Sequence, residues 1–146
     1  MSILLANSWT CQQPDGGINI KKEDDIMIKE AFVSCDIAKR LKEKGFNEEC
    51  FGYYNSDGQI DTSLGKWRND DFIMSHVAAP TQQMAMRWLR EAKGIFIKID
   101  MDGSGYYNFN VYLNGSLYST GEEMDFETYE LAVAFGLLFV LTKMEL

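Results

Sequence analysis

Residues 95–119 read IFIKIDMDGSGYYNFNVYLNGSLYS, and this stretch decides the fold. Ile95, Ile97 and Ile99 lie on one face of an extended chain, with Phe96 and Lys98 on the other, which is typical of a strand. A glycine-rich turn follows at 102–105, and Asn114-Gly115 is the dipeptide that most strongly indicates a two-residue hairpin turn. The sequence therefore predicts a three-stranded antiparallel meander over residues 95–119.

Two helices are predicted before this meander. Ser34 is a candidate N-cap for the first helix, which runs from Cys35 to Lys44 and would end at Gly45 in a left-handed conformation. The second helix should open at Pro80, a favoured first helical residue, and end before Gly94. Its predicted buried face consists of Met84, Ala85, Trp88, Leu89 and Ala92.

The segment between these helices is predicted to begin with a β-hairpin. Residues 50–54 have the composition of a strand, a Ser-Asp-Gly turn follows, and residues 59–64 supply a weaker return strand. Residues 65–78 show no clear period and are expected to be irregular. Residues 1–24 are expected to form an N-terminal arm or an early strand.

The last helix is apolar around nearly its whole circumference. It is predicted from about Asp125–Thr128 to Lys143, and residues 131–141 contain no polar stripe. Either this helix is the central element of the core, or its second face meets another copy of the chain. The second alternative, a homodimer through residues 131–141, is favoured because terminal helices are seldom fully enclosed.

The predicted fold class is α+β. The chain has 146 residues, of which 46% are hydrophobic and 25% are charged, as in one ordinary globular domain. Residues 25–146 are expected to form this single domain, an antiparallel sheet of a hairpin and a meander packed with about three helices. The predicted order of elements is α-β-β-α-β-β-β-α.

Charge narrows the class of partner. The net charge is −8, and residues 100–146 carry eight acidic side chains against one lysine. This field disfavours direct binding to nucleic acid or to a membrane surface, and it favours a basic partner. No basic region precedes the apolar run near residue 3, and no apolar run approaches the length of a membrane helix, so a cytoplasmic location is expected.

Metal and cofactor sites are not predicted. The three cysteines form no C-x-x-C pair, and His76 is the single histidine. Asp100-Met-Asp-Gly-Ser-Gly105 resembles the start of a calcium loop, but the twelfth position, where a glutamate belongs, is Val111. We therefore expect a hairpin turn at 100–105.

Pro80-Thr81-Gln82-Gln83 is the polar motif that most suggests a binding site. Three side chains with hydrogen-bonding groups at an exposed helix start could contact a partner or ligand, or they could simply initiate and cap the helix. An alternative site lies near His76 and Thr81 and would indicate a small-ligand-binding protein or an enzyme. No complete catalytic motif surrounds His76, which favours the interaction protein.

A longer block around this motif resembles a known family. Residues 78–90, AAPTQQMAMRWLR, followed by GIFI at 94–97, are similar to the signature of short uncharacterised proteins carried by phages and prophages of gut bacteria. The stretches FVS at 32–34, IAK at 37–39, LKEKGF at 41–46 and DFETY at 125–129 fit the same pattern, so the resemblance covers about residues 30–130. The chain differs from these proteins at its last helix, which is amphipathic in them and almost uninterruptedly apolar over residues 135–141 here.

The resemblance implies origin in a phage or mobile element and expression in a bacterial host cell. It does not indicate an activity, a cofactor or a catalytic residue. We therefore expect a non-catalytic accessory protein that acts through contact with a host or phage protein.

Overall fold

The helices and strands of the computed structural model follow the predicted α+β class. The structure describes residues 28–62, 65–72, 75–120 and 124–146, so the predicted arm at 1–24 lies outside the described residues. The helices are α1 (Cys35–Glu43), α2 (Gln82–Lys93) and α3 (Tyr129–Lys143). The strands are β1 (Gly52–Tyr54), β2 (Ile60–Asp61), β3 (Val77–Ala79), β4 (Ile95–Met101), β5 (Tyr107–Leu113) and β6 (Ser116–Thr120), with a 3₁₀ turn at Asn69–Asp71.

Local turn chemistry fixes the ends of α1 and the tight hairpin. The Ser34 hydroxyl accepts the Ile37 amide at 3.3 Å, and the Phe46 amide donates to the Leu41 carbonyl across Gly45, whose φ is +98°. Between β5 and β6, Asn114 and Gly115 have φ values of +50° and +88°. These angles are those of the turn that asparagine–glycine pairs favour, so both predictions are confirmed.

The strands form two antiparallel sheets, ordered β2-β1-β3 and β4-β5-β6. The second sheet is the predicted meander, in which Ile97 pairs with Val111 and both side chains are buried. The prediction that residues 65–78 are irregular is wrong for β3, which pairs with β1 through Ala78 and Tyr53. All three β3 side chains are buried, so this short strand has no alternation that a sequence pattern would reveal.

The start of α2 also differs from its prediction. Thr81 is the N-cap, and its hydroxyl accepts the Met84 amide at 3.2 Å. Pro80 precedes the cap because its carbonyl accepts the Val33 amide at 3.0 Å, while the Gln82 amide donates to Ala31 at 2.8 Å. This pairing holds residues 80–81 extended, so the helix begins two residues after the predicted first position.

α3 packs on β4 and β5 with one side and on α1 and α2 with others. Six of its residues are buried: Ala132, Val133, Gly136, Leu137, Val140 and Leu141. A narrower apolar stripe stays at the surface, with Leu131 44% and Phe135 42% exposed. Six of its fifteen residues therefore belong to the core, as the first alternative requires, and a homodimer through the exposed stripe stays a prediction.

None of the helices within the described ranges has the length and apolar character that crossing a membrane requires.

Candidate functional site

A cleft of about 500 Å³ opens between the outer face of α2 and the 46–50 segment that follows α1. Its lining combines apolar and charged side chains: Glu48, Glu49, Arg68, Met84, Arg87, Trp88, Glu91 and Ala92. The volume lies in the range of ordinary ligand sites. We refer to this feature as the α2 cleft.

The floor of the α2 cleft is Trp88 together with Met84. The Trp88 ring meets Phe46 edge-on at 5.4 Å between centroids, and the Lys93 ammonium lies 5.5 Å from the indole centroid. The Met84 sulfur lies 3.9 Å from the Cys50 sulfur. The indole therefore packs on the core through Phe46, lies beside the Lys93 ammonium, and is exposed in part to the cleft.

The predicted buried face of α2 is confirmed for Ala85 and Leu89 and wrong for its other three residues. Trp88 and Met84 are only partly buried and Ala92 is exposed, whereas Met86 and Gln82 are buried. The buried face of α2 consists of Gln82, Ala85, Met86 and Leu89, so it is rotated about the helix axis relative to the predicted face. Gln82 is a polar side chain that the sequence pattern did not place on this face, and its burial is compatible with its hydrogen bond to the Glu130 carbonyl at 2.9 Å.

The walls of the cleft carry three carboxylates and two guanidiniums. Arg87 pairs with Glu91 at 2.9 Å, and Arg68 pairs with Glu49 at 3.4 Å. Glu48 adds a further exposed carboxylate, so the net charge of the lining is −1. Exposed pairs of this kind contribute little to folding stability, and their main effect is on which ligand charges the cleft attracts.

The 46–50 wall is held in place by Asn69, whose side chain is only 5% exposed. Its amide nitrogen donates to the Phe46 carbonyl at 2.7 Å, and its amide oxygen accepts the Ala78 amide at 2.9 Å. Beside it, Asn47 and Asp70 exchange two hydrogen bonds of 2.8 and 2.9 Å. Sequence reasoning missed Asn69, since nothing local distinguishes it from a surface asparagine in a loop.

Cys50 lies beneath the cleft and is buried. Burial, and to a lesser extent the Glu48 carboxylate, raise the pKa of its thiol to about 12. A thiol in this state stays protonated at neutral pH, so Cys50 is a packing residue of the cleft and a poor nucleophile.

We predict slow alkylation of Cys50 in the folded protein. At pH 8 a thiol of pKa about 12 has about 1000-fold less thiolate than one of pKa about 9, so folded Cys50 should react far more slowly with iodoacetamide than Cys50 in urea. The same raised pKa means that stability is lost as pH rises from about 9 toward 12. Peptide mapping by mass spectrometry measures the rates, and equal rates would contradict the assignment.

The predicted Pro80–Gln83 motif does not line the α2 cleft. Thr81 caps the helix, and the buried Gln82 side chain donates to the Glu130 carbonyl at 2.9 Å. Gln83 is exposed and its amide nitrogen lies 3.3 Å from the Tyr129 hydroxyl. The helix start thus initiates α2 and links it to α3, and partner recognition by these residues stays a prediction.

His76 and Thr81 lie at opposite ends of β3. The His76 ring is partly buried against Phe72 and Tyr53, at 5.8 and 5.6 Å between centroids. Because the intervening strand is extended, five residues separate the two backbones by roughly 16 Å. The structure therefore does not bring these two side chains into one site, although a site at either of them stays a prediction.

The turn predicted at 100–105 is confirmed as the loop between β4 and β5. The Asp102 carboxylate accepts the amides of Ser104 and Tyr106 at 2.8 and 3.0 Å, so the backbone of the loop occupies it. In the parts of the chain that the structure describes, no group of three His, Cys, Asp or Glu side chains is arranged to hold a metal ion.

Millimolar calcium is therefore expected to leave the melting temperature unchanged. The Val111 side chain supplies no ligand at the closing position, and Asp102 is engaged by the turn. Thermal unfolding measures the melting temperature in calcium chloride, with magnesium chloride as the matched control. A calcium-specific stabilisation above about 1 kcal/mol would show that the loop binds the ion.

Comparison with known proteins finds no family model, no curated protein and no solved structure that matches the chain.

Proposed function

We propose that the protein is a non-catalytic interaction protein that binds a basic segment of a partner protein in the α2 cleft. The observation that carries the proposal is the partly exposed Trp88 indole at the base of a cleft whose walls carry three carboxylates and two guanidiniums. An apolar side chain of the partner would lie on Trp88 and Met84. Its cationic neighbours would lie near Glu48 and Glu91.

Trp88 is suited to this role because an indole provides a large contact area with little conformational freedom to lose. Aromatic anchors of this kind dominate the binding energy of many protein interfaces. The edge-on contact with Phe46 already holds the ring in place, so little ordering is required when a partner binds.

Charge supports a basic partner over an acidic one. The whole chain has a net charge of −8, so cationic segments are attracted to the protein more strongly than acidic ones. Arg68 and Arg87 are engaged by Glu49 and Glu91, and their remaining N–H groups suit the carbonyl oxygens of a peptide backbone.

The resemblance of residues 78–97 to phage and prophage proteins supports a partner from the host or the phage. On that basis we propose that the protein acts in the cytoplasm of a bacterial cell as an accessory protein of a mobile element.

Variants of the cleft test the proposal without disturbing the core. Ala92 is exposed and lines the cleft, so Ala92→Arg adds bulk and positive charge where the partner would lie. Ser116→Arg is the matched control, since it adds the same charge on β6. Gln83→Arg places that charge at the helix start and so tests the Pro80–Gln83 motif separately.

Tagged copies of the wild type and of each variant are purified from a bacterial host that carries the element, and the retained partner is then titrated by calorimetry. We expect Ala92→Arg to weaken binding at least tenfold, with Ser116→Arg unchanged. Loss of binding in Gln83→Arg alone would move the site to the helix start. Equal binding by all four proteins would contradict a site at either place.

A further inference from the structure

Two of the three carboxylates in the α2 cleft are already paired with arginines of the same cleft. Arg87 lies 2.9 Å from Glu91, and Arg68 lies 3.4 Å from Glu49. The Lys66 ammonium also lies 4.0 Å from the Glu49 carboxylate. A cationic ligand that approached either of these carboxylates would meet a charge that is already offset, with a guanidinium beside it.

Glu48 is the third carboxylate of the cleft, and it differs from the other two. No ion pair joins it to a lysine or an arginine of the residues that the structure describes. Glu48 is exposed and lines the cleft. Its carboxylate can therefore accept a cationic side chain of a ligand without first losing a partner within the described chain.

Glu48 also lies beside the apolar floor of the cleft. The Cys50 thiol donates to the Glu48 carbonyl at 3.4 Å, and the Cys50 sulfur lies 3.9 Å from the Met84 sulfur. Met84 is one helical turn from Trp88 on α2. One ligand segment can therefore place an apolar side chain on Trp88 and Met84 and a neighbouring cation at Glu48.

The Trp88 ring is a less favourable place for the cation of the ligand. The Lys93 ammonium already lies 5.5 Å from the indole centroid. A second cation on the same ring would lie close to this ammonium, and like charges repel at short range. The indole therefore favours an apolar side chain of the ligand, which leaves the cation to Glu48.

We infer that Glu48 selects the cationic side chain of the partner, next to an apolar side chain that lies on Trp88. The inference rests on the proposed function, because it concerns the same cleft. It assigns the preference for a lysine or arginine of the partner to one carboxylate, rather than to Glu49 or Glu91.

Two matched variants test this assignment. Glu48→Gln removes the carboxylate in the cleft, and Glu43→Gln removes an exposed carboxylate of α1 that does not line the cleft. Both variants change the net charge by the same amount. The probe is a short peptide with leucine between lysines, followed by the shift of the Trp88 indole N–H. We expect Glu48→Gln to weaken binding about fivefold and Glu43→Gln to weaken it less than about twofold.

A double-mutant cycle with the peptide separates direct contact from long-range charge. Each lysine of the peptide is replaced by glutamine in turn, and the titrations are repeated. Replacing the lysine that pairs with Glu48 should abolish most of the difference between the wild type and Glu48→Gln.

Two results of these titrations would overturn the inference alone. One is equal weakening by Glu48→Gln and Glu43→Gln, and the other is coupling of a peptide lysine to Glu91→Gln instead of Glu48→Gln. A wild type that does not bind the peptide would overturn the proposed function, and the inference with it.

Discussion

Gly136→Val is expected to lower the free energy of unfolding by about 3 kcal/mol or more, since it forces α3 away from the meander. A Cβ atom at Gly136 would lie 3.0 Å from Ile97 Cγ2 and 3.4 Å from Phe109 Cγ. The two further methyl groups of valine would project deeper into β4 and β5. Because the Ile97 and Phe109 side chains are buried, they have little room to move aside.

Gly136→Ala is the matched control for this effect. Alanine adds only the Cβ atom, and its helix propensity is about 1 kcal/mol better than that of glycine, which offsets part of the crowding. Urea unfolding followed by circular dichroism compares the three proteins. If valine were tolerated as well as alanine, α3 would not approach the sheet as closely as the structure indicates.

Asn69→Leu is expected to cost about 3 kcal/mol in stability and to weaken the binding of a partner in the α2 cleft. Leucine has a similar size but leaves the Phe46 carbonyl and the Ala78 amide without their side-chain partner. A buried polar group that loses its hydrogen bond costs roughly 1–3 kcal/mol. Because Phe46 begins the 46–50 wall, the cleft should lose its shape as well.

Asn47→Ala is the control for Asn69, because it removes hydrogen bonds of the same wall that are exposed to solvent. We expect Asn47→Ala to lower the free energy of unfolding by less than about 1 kcal/mol, since water replaces the lost partner. Denaturant unfolding gives both free energies. Equal costs for the two variants would mean that Asn69 does not hold the wall of the cleft.

The elements that the sequence predicted correctly are those determined by interactions between residues close together in the sequence. Asn114-Gly115, the Ser34 cap and the Gly45 ending depend on neighbours within a few residues, and each lies where it was expected. The alternation over Ile95–Ile99 likewise reflects one buried face of one sheet. These features give most of the α+β order without knowledge of the tertiary packing.

The features that the sequence did not predict depend on packing between distant parts of the chain. β3 is a strand because β1 pairs with it, and Pro80 stays outside α2 because residue 33 pairs with it. The burial of Gln82 follows from the Glu130 carbonyl, 48 residues away. With Gln82 and Met86 on the buried face of α2, Trp88 is only partly buried.

The candidate site was missed for the same reason. Glu48, Arg68 and Glu91 lie far apart in the sequence, and each alone has the character of an ordinary solvated residue. Trp88 was expected to be core because its spacing from Met84 and Ala92, four residues away on either side, fits one helix face. Only the orientation of α2 against the 46–50 wall places these side chains around one cleft.

The most direct measurement of the central claim is a nuclear magnetic resonance titration of the Trp88 indole N–H. The probes are a short peptide with leucine between lysines and two controls, one with glutamate for lysine and one with serine for leucine. We predict a saturable shift of Trp88 with the lysine–leucine peptide, with Kd of about 1 mM or tighter, and no such shift of Trp67. If the Trp88 resonance does not shift with this peptide, or shifts equally with all three, the proposal that the cleft binds basic segments is contradicted.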